Sequence, residues 1–155
     1  MRSTLKATGL AGVMVLVAIS LAGLAAAERG EGGDGNAKGD NLEHLMKSME
    51  KGLNAIKKDV KDEKQQARML QLVAQFEKDV LTAKGIIPGR IARKTGDEKD
   101  KAIAEYRGMM SNVLRQALDL EDSISENKPD EALKVIDQIV EIEKQGHKEF
   151  RPKEH

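Results

Sequence analysis

Four stretches of the chain repeat apolar side chains in alternating steps of three and four, with charged residues between them. The first carries Leu42, Met46, Met49, Leu53, Ile56 and Val60, and the second Met69, Val73, Phe76, Val80 and Ala83. The third carries Ile103, Tyr106, Met110, Val113, Ala117, Leu120 and Ile124. The core face of the fourth includes Leu133, Ile136, Val140, His147 and Phe150. A period near 3.5 residues puts each series on one face of a helix, as bundle packing requires. No strand-like alternation interrupts the pattern, so it predicts an all-α fold: an antiparallel up-down-up-down four-helix bundle.

The links agree with that topology. The first, around Lys61 to Lys64, is short and polar, and the last is the turn Glu126-Asn127-Lys128-Pro129, with Pro129 near the first turn of the fourth helix. The middle link, Gly85 to Asp97, is longer and contains Ile86, Ile87, Pro88 and Gly89. In an up-down bundle it falls at the end where the first helix starts and the fourth stops, where it can close over a ligand.

The N-terminus reads differently. Arg2 and Lys6 precede an uncharged stretch from Ala7 to Ala27 that ends Leu24-Ala25-Ala26-Ala27, the pattern of a secretory signal peptide cleaved after Ala27. An uncleaved anchor is the alternative, since the stretch approaches spanning length. Cleavage implies export to a bacterial periplasm and a mature form with no membrane segment. Residues 28–39 are Gly-rich and read as a flexible tether, followed by a bundle domain at 40–151, starting at an Asp40 or Asn41 cap, and a disordered tail at 152–155.

Composition narrows the function. The 26 basic and 26 acidic residues of the whole chain become 24 and 26 without Arg2 and Lys6, so nothing argues for nucleic acid or an anionic membrane. With no Cys there are no disulfides, no thiol chemistry and no C-x-x-C-H for covalent haem attachment. No Gly-rich phosphate loop follows a strand, and the Glu-x-x-His pairs of a di-iron bundle are missing. Nothing marks the chain as an enzyme.

Two residues remain worth weighing together. Met46 lies in the first turns of the first helix and His147 near the end of the last. Alone, Met46 is ordinary core filler and His147 a partly exposed histidine whose charge suits a helix C-terminus. An up-down-up-down bundle, however, brings both to the same level on adjacent helices. There a thioether and an imidazole form the His/Met pair that can clamp haem iron, with Tyr106 and Met110 as cavity walls. A weaker reading is a copper site from Met46, Met49 and His44. His155 ends the sequence and carries no argument.

The residues around this pair carry a family resemblance. Leu42-Glu43-His44-Leu45-Met46, followed by Met49, Leu53 and Ile56, and the ending Gln145-Gly146-His147-Lys148-Glu149-Phe150-Arg151 resemble the first and last helices of the cytochrome b562 family. These are small periplasmic four-helix haem proteins. The resemblance spans about Asn41 to Arg151. It implies one non-covalent haem b with Met46 and His147 as axial ligands, Tyr106 and Met110 on haem-packing positions, and Arg151 near the propionates. Met49, beside Met46, counts with the cofactor-binding residues. It further implies a monomeric single-electron carrier with redox proteins as partners. The chain departs from the family pattern at Glu143, where an arginine is expected, at Met110, where a phenylalanine is, and in a longer segment between the first and third helices. The alternative is a haem-free bundle of the same fold serving as an envelope adaptor or stress-related binding protein.

Overall fold

A computed structural model describes the backbone of residues 35–150 and the side chains of residues 41–150. It is an all-α, antiparallel four-helix bundle built from α1 (Gly35–Asp59), α2 (Gln66–Gly85), α4 (Gly96–Ser125) and α5 (Pro129–Phe150), with a short helix α3 (Gly89–Ala92) in the middle link. The expected signal peptide, the expected tether up to residue 34, Arg151 and the expected tail at 152–155 lie outside the described residues.

Each link is fixed by groups that satisfy helix ends. After α1 the Asp62 carboxylate accepts from the Lys64 amide at 3.1 Å and starts a 3-10 turn, Glu63–Gln65. The first residue of α2 then serves α4: the Gln66 amide donates to the carbonyls of Ile124 (2.8 Å) and Ser125 (3.2 Å), which have no partner within their own helix. α4 stops in a Schellman arrangement. Asn127 takes a left-handed φ of 55°, and the Lys128 and Asn127 amides donate back to Ser123 and Ile124 at 2.8 and 3.0 Å. Pro129 opens α5 as expected, where its missing N–H costs nothing, and Asp130 and Glu131 complement the helix dipole.

The core is aliphatic. Ile56, Val73, Val80, Leu120 and Ile136 are fully enclosed, each worth roughly 1.5–3 kcal/mol in burial. The helices form a four-sided arrangement in which α1–α2, α2–α4 and α4–α5 pack closely along their lengths, while α1 and α5 come close at few points. Two ion pairs tie that last seam, Lys57–Asp137 at 2.7 Å and Lys61–Asp130 at 3.6 Å, both toward the α1 C-terminus.

Two expectations change. α1 begins at Gly35, so residues 35–39 of the expected tether are helical and Asp40 lies inside the helix rather than capping it. Extending a formed helix adds one hydrogen bond per residue fixed, which tolerates a stretch of poor helix formers. The buried line of α5 runs through Ala132, Ile136, Ile139 and Phe150, with Leu133, Val140 and His147 half-buried at its flank.

Candidate functional site

The ion pairs of the α1–α5 seam set its register. Antiparallel α-helices rise by the same ~1.5 Å per residue. Met46 lies eleven residues from Lys57 toward the start of α1, and His147 ten residues from Asp137 toward the end of α5. Both therefore sit about 15 Å along the seam from that ion pair, level with each other. One turn closer to the ion pair, Glu50 and Glu143 are level in the same way, and their charges do interact across the seam.

Met46 is half-buried between Leu45 and Met49, whose side chains turn into the core. His147 lies in the last turn of α5 with its side chain 41% exposed. The ring borders the seam rather than entering the core, and its Nε2 lies 3.9 Å from the Glu143 carboxylate one turn earlier. Glu143 is itself only 31% exposed on its side chain. Burial pushes its carboxyl above the ordinary range, the His147 charge pulls it back, and the like charge of Glu50 adds to the rise.

Beneath the pair the bundle is closed by aromatic packing. The rings of Tyr106 and Phe150 meet edge to face at 5.4 Å and 78°, and the Tyr106 hydroxyl donates to the Ala83 carbonyl of α2 at 2.8 Å. Burial pushes that hydroxyl up to about 12. Met110 is buried on the same face of α4, as is Met49 on α1. Gly146 lets α5 approach α4 so closely that a Cβ there would meet the Met109 sulfur at 3.0 Å. The middle link does close this end. Ile91 of α3 is buried, and the Arg90 guanidinium donates to the Lys148 carbonyl at 3.2 Å, partnering an end group of α5.

The structure thus brings Met46, His147, Tyr106, Met110 and Met49 to one end of the bundle, while Arg151 lies outside the described residues. Sequence reasoning missed Glu50, Met109 and Arg90. Glu50 was legible as the residue one helical turn after Met46. Among the described residues no three His, Cys, Asp or Glu side chains converge as a metal cluster. His44 is exposed while Met49 is buried, so the copper alternative finds no converging donor set. Two shallow grooves lie elsewhere, one of about 460 Å³ between α4 and α5 beside Gln116 and Ile142, the other of about 260 Å³ between α1 and α2 beside Gly52 and Phe76. Neither includes Met46 or His147.

No helix among the described residues is long and apolar enough to cross a membrane. Neither a curated protein nor a solved structure matches the chain. A family model for cytochrome b562 does, over residues 41–151, a span that takes in α2 to α5 and most of α1. The match covers well over half of the sequence, and the chain belongs to the cytochrome b562 family.

Proposed function

We propose that the chain is an exported single-electron carrier that holds one non-covalent haem b through His147 and Met46. The observation that carries this reading is the level placement of an imidazole and a thioether on the two sides of the most loosely packed seam in the bundle. A flat macrocycle needs such a gap between helices, and the donor set fits iron: an imidazole nitrogen on one side, a soft thioether on the other. When bound, haem supplies a one-electron iron couple.

The chain's own residues do the rest. Tyr106, Phe150 and Met110 exclude water beneath the ligand pair, and Met49 fills the α1 side. α3 seals the end through Ile91. Were haem held by both His147 and Met46, the protein itself would supply the iron's ligands, which favours electron transfer over chemistry on a bound substrate. Redox proteins of the periplasm are the expected partners of a monomeric carrier, and residues 1–27 support export.

The test uses the protein lacking residues 1–27, mixed with haem and examined by visible absorption in both oxidation states. A sharp Soret band and a reduced α-band are expected, and Met46→Ala and His147→Ala are each expected to abolish the α-band. A protein that takes up no haem at micromolar concentration overturns the reading in favour of a haem-free bundle.

A further inference from the structure

If His147 ligates haem iron, its surroundings differ from those of the other ionisable groups on the bundle. Glu143 has a side-chain exposure of 31%, against 53–84% for the Glu side chains paired with lysines at Glu98, Glu105, Glu126, Glu131 and Glu141. Its single ion-pair partner among the described residues is His147, at 3.9 Å. The facing wall of the seam offers Glu50, another acid, and on the α4 side the nearby Gly146 of α5 meets the neutral Met109. Arg90 of the sealing loop hydrogen-bonds the Lys148 carbonyl and forms no ion pair with Glu143. A part-buried acid, Glu143, and an exposed one, Glu50, thus stand on the two sides of the seam beside the histidine.

We propose that Glu143, seconded by Glu50, is the residue that lowers the reduction potential of this carrier and biases it toward the ferric state. The inference rests on the haem reading above. Ferric haem carries one more positive charge than ferrous haem. A carboxylate beside the ligating imidazole stabilises the more positive state through space. Electrostatic interactions at a half-buried site act through an effective dielectric of about 20 rather than the ~80 of water, so Glu143 acts several times more strongly than a solvated acid. Methionine ligation pulls the other way, toward ferrous iron. Glu143 thus offsets the tendency of Met46. The electron gained on reduction comes from a one-electron donor protein and leaves to a one-electron acceptor of higher potential.

Glu143 is a positioning and tuning residue, and the test reads a potential rather than turnover. Haem-loaded wild type, Glu143→Gln, Glu50→Gln and Glu141→Gln are titrated spectroelectrochemically at about pH 8, well above the carboxylate range. Glu143→Gln is expected to raise the potential by about the shift of a tenfold change in the ferric-to-ferrous ratio, roughly 59 mV for one electron. Glu50→Gln, on the facing wall, raises it by less. Glu141→Gln changes net charge equally at an exposed site and leaves the potential in place. The same cycle requires Glu143→Gln to weaken ferric haem binding about tenfold relative to ferrous, a second readout. Equal shifts for Glu143→Gln and Glu141→Gln, or a fall in potential, overturn the inference while leaving the carrier function standing. Failure of the wild type to take up haem overturns both.

Discussion

Tyr106 offers a test of the packing beneath the candidate site that needs no cofactor. It is the only tyrosine in the chain, and there is no tryptophan, so tyrosinate absorbance reports this residue alone. Its side chain is enclosed, its hydroxyl donates to the Ala83 carbonyl, and burial pushes it from the ordinary 10.0 up to about 12. The folded state therefore holds the phenol neutral while the unfolded chain releases the proton near pH 10. Stability from this difference is fully present below pH 10 and is lost as pH rises to about 12. The two-unit gap corresponds to roughly 3 kcal/mol.

Tyr106→Phe removes that dependence at a small cost at neutral pH. The Ala83 carbonyl keeps a second donor, the Ile86 amide at 3.0 Å, so deleting the hydroxyl costs about 1 kcal/mol rather than the full penalty of an orphaned acceptor. Urea unfolding followed by circular dichroism should find the wild type more stable by about that amount at neutral pH. The two curves are expected to cross near pH 11, roughly where the lost proton linkage equals the lost hydrogen bond. Tyrosinate absorbance that rises near pH 10 with the fold intact, or parallel stability curves for the two proteins, would refute the reasoning.

Ile136→Ala empties a fully enclosed position on α5 and should cost about 2–5 kcal/mol in denaturant unfolding without changing helicity in water. Gly146→Ala places a methyl against the Met109 sulfur, the movable end of a flexible side chain. It should raise the melting temperature of the haem-free protein, with a gain of up to ~1 kcal/mol from replacing a helical glycine; a loss would mean that Met109 is pinned. Lys57→Ala breaks an exposed ion pair and should cost less than about 1 kcal/mol, with the difference shrinking as salt is added to the melt.

How much of this was legible in the sequence depends on where the signal was local. The four helices and their direction followed from periodicity and from short links, and the Pro129 start of α5 was readable from one residue. The orientation of α5 was not fully readable. Apolar residues at 132, 133, 135, 136, 139, 140 and 142 form a stripe so broad that periodicity cannot choose its centre. The close approach of α4, where Gly146 meets Met109, accompanies a centre on Ala132, Ile136 and Ile139. That one-position difference moves His147 from the expected inward face to the edge of the seam. The Tyr106 hydrogen bond to Ala83 joins residues of different helices and leaves no trace in local sequence. Glu143 was legible as an acid near the histidine, but its burial was not.

The openness of the α1–α5 seam has a physical origin in the same residues. Each of the other three sides of the bundle joins helices that follow one another along the chain, with only the short α3 between α2 and α4, so chain connectivity favours their close packing. α1 and α5 share no link, and the charges along their seam bias how they approach. Toward the α1 C-terminus Lys57 meets Asp137 and Lys61 meets Asp130, an attraction that draws the helices together. Toward the other end Glu50 faces Glu143, and like charges beside a half-desolvated carboxylate resist closure. The seam thus carries opposite charges toward one end and like charges toward the other, next to Met46 and His147. The acids that would tune a bound haem are the ones that disfavour close approach of α1 and α5 beside Met46 and His147.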